Sequence, residues 1–181
     1  MNAVLLTVAS GLIYPLLFPP SSLWPLAWVC LVPLFLAVRQ ASTMRAIALA
    51  FLWTFLWCAS VVSWLPETLA TYYHRSWWTG FGVALGICAF TGGIQYAAFA
   101  LWQRKLVVAH GLVRPLLVAA AWVAAELARG KLFSGNPWAL LGYSQTPVGP
   151  LLQIADVTGV YGVTYLVAAV NAALALSLIH I

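Results

Sequence analysis

Residues 46–65 read AIALAFLWTFLWCASVVSWL, twenty positions without a charge, a glycine or a proline. As a helix rising 1.5 Å per residue this run spans about 30 Å, the thickness of a bilayer's hydrocarbon core. Its apolar residues are continuous and do not alternate, which favours a helix over a barrel strand. The rest of the chain agrees: 64% of its 181 residues are hydrophobic and 6% are charged, with a mean hydropathy of +0.98. Soluble domains carry about 25% charged residues, so the solvent of this chain is a bilayer. There every backbone amide must be satisfied within its own element, which helices achieve.

Working outward from that run, charges and prolines delimit about six spanning segments: residues 2–18, 23–38, 46–65, 79–102, 115–128 and 149–178. The first is short, lacks a basic leader and a small-residue cleavage site, and reads as a retained helix. The expected fold is therefore all-α, a polytopic transmembrane helix bundle over residues 1–181 with no soluble domain.

Arg39 and Arg45 fall in the second-to-third connection and Arg104, Lys105 and Arg114 in the fourth-to-fifth, against Arg75, Arg129 and Lys131 in the alternate connections. The excess of cations in short cytoplasmic loops predicts a cytoplasmic N-terminus. The FPPSS turn at Phe18 to Ser22, the Pro66 to Trp78 loop and the Arg129 to Pro147 stretch then share the outer side. The net charge of +5 forms no run or patch and points to anionic headgroups, not nucleic acid. Trp24, Trp28, Trp64, Trp77, Trp78, Trp102 and Trp138 sit near predicted helix ends, where amphipathic rings prefer the interface.

Cys30, Cys58 and Cys88 lie inside predicted helices with no second Cys or His at ligand spacing, so no disulfide, metal site or catalytic thiolate is expected. His74 and His110 are predicted in loops and His180 at the chain's end, each without a partner. Gly80, Gly82, Gly86, Gly92 and Gly93 make the fourth segment a close-packing surface, which indicates a bundle and no particular activity.

Residues 126–145, ELARGKLFSGNPWALLGYSQ, gather most of the polar and turn-forming vocabulary of the chain. Glu126 precedes Arg129 by three positions on one helix face, a spacing that predicts an ion pair. Asp156 is expected as a helix cap or an interhelical hydrogen bond, and Glu67 as a wet loop residue. Gly135, Asn136 and Pro137 end the fifth helix, and Trp138, Leu140 and Leu141 return apolar side chains to the membrane surface, which describes a re-entrant or interfacial outer loop. Non-helical backbone at that depth must be covered by protein or line a wet cavity, so Tyr143, Ser144 and Gln145 are expected to face headgroups or a docked domain.

The string SGNPWALLGYSQ, with Glu126 and Arg129 before it and LLQIADVTGVYGVTYLV at 151–167 after it, resembles the membrane region of bacterial apolipoprotein N-acyltransferases. FPPSSLWPLAWVCLVPLF at 18–35 and VSWLPETL at 62–69 extend the resemblance over nearly the whole chain. It implies an enzyme of the bacterial cytoplasmic membrane that moves an acyl chain from a phospholipid to the N-terminal cysteine amine of a diacylated lipoprotein. The family carries a cysteine nucleophile, with a glutamate and a lysine, on a nitrilase-like domain at the outer face. No segment here matches that domain, and none of the three cysteines matches that nucleophile. The expectation is a membrane-domain fragment, from a truncated reading frame, that is inactive by itself and needs no metal or cofactor. The resemblance further implies support roles: Arg129 against phosphate or headgroup, Glu126 orienting it, Trp138 and Tyr143 anchoring the loop, and Asn136 and Gln145 holding its turn or meeting the catalytic domain. The competing readings are a small transporter or scaffold, or the membrane subunit of a split acyltransferase. A transporter is expected to show paired broken helices in two related halves, and no internal repeat is evident.

Overall fold

A computed structural model describes residues 2–106, 113–133 and 135–180, with side chains to residue 178. The described residues form helices α1 (Ala3–Ile13), α2 (Val32–Arg39), α3 (Thr43–Val61), α4 (Leu65–Tyr73), α5 (Trp77–Cys88), α6 (Ile94–Lys105), α7 (Val113–Lys131), α8 (Gly149–Thr158) and α9 (Val160–His180), with no strand among them. A π-helical turn, Ala89–Gly93, joins α5 to α6 without a break. Among the described residues three helices are long and apolar enough to cross a membrane: Thr43–Val61, the continuous Trp77–Lys105, and Val160–Leu178. The first and second apolar segments are shorter, the first ended and the second begun by a tight 3-10 turn, Tyr14–Leu17 and Trp24–Trp28. Helix α7 is 19 residues long and carries Arg114, Glu126, Arg129 and Lys131. The all-α, polytopic helix bundle stands as the sequence implies.

Three local expectations are corrected. Residues 149–178 do not form one helix, because Gly159 adopts φ 65°, ψ −173° and separates α8 from α9. That backbone conformation is essentially restricted to glycine, and it leaves α8 without a single buried residue. The Pro66 to Trp78 stretch is mostly helix α4, begun by Pro66 in its first turn and capped by His74 in the left-handed region. Glu67 is thus an exposed first-turn residue that accepts from Thr71 Oγ1 at 3.2 Å, favourably placed against the helix dipole. Cys58 of α3 and Cys88 of α5 are joined as a disulfide, their Cα atoms 5.8 Å apart. Thirty residues of sequence concealed a pairing that only the side-by-side course of the two helices creates. Cys30 remains a buried free thiol. His110 lies outside the described residues, as does the side chain of His180.

The core is aromatic where the helices converge. Tyr14, Trp53, Trp57, Tyr96 and Trp122 meet with ring centroids 4.9 to 6.5 Å apart, mostly tilted or edge to face, arrangements favoured by the ring quadrupoles. The indole of Trp53 donates to Ser10 Oγ at 2.9 Å, and that hydroxyl donates to Cys30 O. Asn171 on α9 ties the irregular entry to α2: its Oδ1 accepts from Leu31 N at 2.9 Å and its Nδ2 donates to Ala27 O at 2.8 Å. A bundle in lipid cannot leave such backbone groups to solvent, and Asn171 replaces the water they lack.

Candidate functional site: a loop clamped by buried polar side chains

The long connection from α7 to α8 covers one end of the bundle. Helix α7 closes with Leu132 N donating to Ala128 O, and the chain turns back so that Asn136 N donates to Arg129 O at 2.8 Å. Asn136 Oδ1 then accepts from Trp138 N at 3.0 Å, while its Nδ2 donates to Thr91 Oγ1 of the π-helical turn. A short 3-10 helix, Leu141–Gln145, carries the loop towards α8.

The bundle supplies what this irregular backbone needs. Glu126 Oε1 accepts from Leu141 N at 2.9 Å and from Trp122 Nε1 at 3.2 Å, and Oε2 accepts from Thr164 Oγ1 at 2.9 Å. Thr164 Oγ1 accepts in turn from Gly142 N at 2.9 Å. Arg129 donates from Nη1 to Trp138 O at 2.6 Å, and Tyr14 Oη donates to the next carbonyl, Ala139 O, at 2.9 Å. Loop backbone groups outside any helix are thereby met by side chains of the bundle, as burial requires. Ala139 sits at φ 51°, a left-handed conformation costing an ordinary residue about 1 to 2 kcal/mol, offset here by the bonds on either side of it. At Gly142 an added Cβ would lie 2.5 Å from Val160 O and 3.0 Å from Thr164 Oγ1, so glycine is what lets the loop touch α9.

The expected Glu126–Arg129 ion pair is absent among the described residues. Both side chains are fully buried, but the carboxylate turns to the loop and α9. The guanidinium lies over the rings of Trp57 and Tyr96, 5.1 and 5.9 Å from their centroids. Spacing along α7 put the two on one face, and the loop and two aromatic rings offered each a nearer partner. Arg129 Nε and Nη2 and Tyr96 Oη have no partner among the described residues, so the cation–π contacts carry much of what holds this charge in place.

The loop's side chains also divide differently from expectation. Leu140, Leu141, Ser144 and Gln145 are buried, and Gln145 Nε2 donates to Trp24 O at 3.2 Å, pinning the loop to the start of the second pass. Tyr143 and Trp138 face outward, each a little over 40% exposed, and Trp138 lies against Trp64 with centroids 6.1 Å apart. Asp156, on exposed α8, makes neither a cap nor an interhelical hydrogen bond among the described residues. Thr164, Tyr14 and Thr91 belong to the clamp and were not singled out from sequence; each is a lone hydroxyl in an apolar run, recognisable only once its partner's backbone is known.

Two hollows adjoin the loop. One of about 520 Å³ lies under the Pro19–Pro20 turn and is bordered by Phe18, Trp64, Ala139 and Tyr143. The other, about 680 Å³ and almost wholly apolar, runs between α6 and α7, with Ala121, Ala124 and Ala128 as its floor and Phe99, Trp102 and Leu132 along its sides. No group of three or more metal-ligating side chains is found among the described residues.

Residues 10–173 match the family model described as the apolipoprotein N-acyltransferase N-terminal domain. Among curated proteins, the apolipoprotein N-acyltransferase of Geobacter metallireducens is 33% identical over 170 residues, 94% of this chain and 32% of that protein. That of Methylococcus capsulatus is 37% identical over 172 residues, 93% and 33% respectively. That of Haemophilus influenzae is 31% identical over 164 residues, 89% and 30%. The chain spans about a third of the length of the curated relatives it matches.

Proposed function

From the premise that this chain belongs to the apolipoprotein N-acyltransferase family, matching its N-terminal domain, we propose that it is the membrane platform of an acyl transfer. In this reading the bundle sits in a bacterial cytoplasmic membrane with its N-terminus inside and its clamped loop outside. A phospholipid donates the acyl chain, and the amine of a diacylated lipoprotein's N-terminal cysteine accepts it. Catalysis belongs to a nitrilase-like domain seated on the loop. These 181 residues alone are inactive: Cys58 and Cys88 are bonded to each other and Cys30 is buried, so the chain's own thiols offer no accessible thiolate.

The observation that carries this reading is the set of hydrogen bonds that ties the loop to the bundle. A surface that must hold a reacting domain in register needs its supports fixed to a fraction of an ångström; Glu126 and Arg129 bind loop backbone from α7, Asn136 joins the loop to Thr91, and Gln145 joins it to Trp24 O. Trp138 and Tyr143, exposed on top, are the anchoring contacts at the interface or with the seated domain. Arg129, having no exposed surface, serves through the Trp138 carbonyl as a positioning residue. The hollow between α6 and α7 is a lateral berth for an acyl chain, its alanine floor open to hydrocarbon and closed to charge.

The test is a whole enzyme in which these residues replace the corresponding third of the Geobacter metallireducens relative. It should acylate a diacylated lipopeptide from phospholipid, whereas the 181-residue chain in the same vesicles should not. A chimera that inserts and folds but leaves the lipopeptide unmodified would sink the platform reading, and turnover by the chain alone would sink the assignment of catalysis to another domain.

A further inference from the structure

The end of the bundle opposite the loop has a different charge pattern. Arg39, Arg45, Arg104, Lys105 and Arg114 all lie there, at the end of α2, the start of α3, the end of α6 and the start of α7, while Glu67, Glu126 and Asp156 lie in the loop-end half. The whole net charge of +5 therefore belongs to this end, and the three cations of the loop-end half are matched by three carboxylates. A cavity of about 600 Å³ opens beside two of these cations, Arg39 and Arg45. Its walls include Leu6 of α1, Leu36 of α2 and Leu178 of α9, and Arg39, Gln40 and Arg45 stand at its polar part. Arg39 also borders a smaller hollow shared with Arg114.

Apolar walls beneath a cationic rim, at the level where a membrane meets water, match one class of molecule. A soluble anion would satisfy the arginines and leave the leucines wet; a neutral lipid would do the reverse. We infer that this cavity seats a single anionic phospholipid, its phosphate between Arg39 and Arg45 and part of an acyl chain against Leu6, Leu36 and Leu178. Guanidinium groups hold phosphate oxygens in a fork geometry that ammonium groups lack, and basic pockets between membrane helices are a recurrent form of headgroup recognition. The lipid is retained, not consumed, because the clamped loop is at the far end of the bundle. The inference needs only the membrane bundle and stands apart from the acyl-transfer reading.

Native mass spectrometry of the full chain, released from micelles doped with phosphatidylglycerol or with phosphatidylcholine of the same chains, reads the site directly. One phosphatidylglycerol per chain should be retained, with at least about a tenfold preference over phosphatidylcholine. Arg39→Gln with Arg45→Gln should weaken retention on the order of twentyfold. Lys105→Gln removes a cation from the same end outside the cavity and should change it less than about twofold. Leu36→Trp, which narrows the hollow and keeps both arginines, should weaken retention, and Arg39→Lys with Arg45→Lys should keep part of the affinity even where the glutamine pair fails to fold. Millimolar glycerol phosphate should not compete. Retention unchanged in the Leu36→Trp or glutamine variants, an equal loss in Lys105→Gln, or full displacement by glycerol phosphate would each overturn the assignment.

Discussion

At the loop end Glu126 and Arg129 are fully buried, and their neighbours supply the carboxylate with three donors and the guanidinium with one carbonyl and two aromatic faces. At the opposite end Arg39, Arg104 and Arg114 are half-buried and Arg45 and Lys105 exposed, and the only side-chain partner found among the described residues is Thr43 Oγ1, 2.9 Å from Arg104 Nη1. The contrast separates two uses of charge in a lipid-embedded chain. Buried charge with internal partners fixes geometry, and removing one partner exposes the others to hydrocarbon. Charge left at the rim leaves the fold nearly indifferent and is available to an outside ligand.

Substitutions at the two ends should therefore differ most in stability. The largest effect is expected from Glu126→Ala, which strands Leu141 N, the Trp122 indole and the Thr164 hydroxyl at once. At about 1 to 3 kcal/mol for each buried donor left unmet, the loss should exceed about 3 kcal/mol and appear as a lowered midpoint of thermal unfolding in detergent, with new protease cleavage between residues 135 and 145. Arg129→Leu comes next, at about 1.5 to 3 kcal/mol for the charged hydrogen bond, and in a whole enzyme it should lower acyl transfer more than it lowers lipopeptide binding. Gly142→Ala should cost about 1 to 3 kcal/mol by pushing the loop off Val160, measurable as faster amide exchange at Leu141 and Gly142. Thr164→Val keeps the shape and strands one loop amide, for about 1 to 2 kcal/mol. Lys105→Gln at the far end should stay within about 0.5 kcal/mol, and a larger loss there would break the contrast between the two ends.

What could be read from the sequence follows the same division. Apolar helical segments and their charge pattern are one-dimensional properties, and the hydrophobic run at 46–65 contains most of α3, although that helix ends at Val61 and α4 begins at Leu65. Glu126, Arg129 and the GNPW turn also stood out in the sequence, because polar residues in so apolar a chain need a reason, and the structure buries both charged side chains. Their partners did not stand out. Helical spacing places Glu126 and Arg129 on one face, but whether they meet depends on the loop amide of Leu141, on Thr164 thirty-eight residues away and on the rings of Trp57 and Tyr96. The inward turn of Ser144 and Gln145 was hidden for a related reason, since the carbonyl that Gln145 reaches, Trp24 O, is 121 residues distant. Continuous apolar composition likewise ran α8 and α9 together across Gly159, whose backbone angles and not its hydropathy separate them.

Asn171 sets a constraint on the order of synthesis. Its partner, the amide of Leu31, lies 140 residues earlier, and a ribosome adding about 5 to 20 residues per second reaches the asparagine roughly 7 to 28 seconds later. For that interval the Leu31 amide and the Ala27 carbonyl lack the partner that α9 gives them. The native contacts of the segment before α2 are therefore completed only after Asn171 has been made.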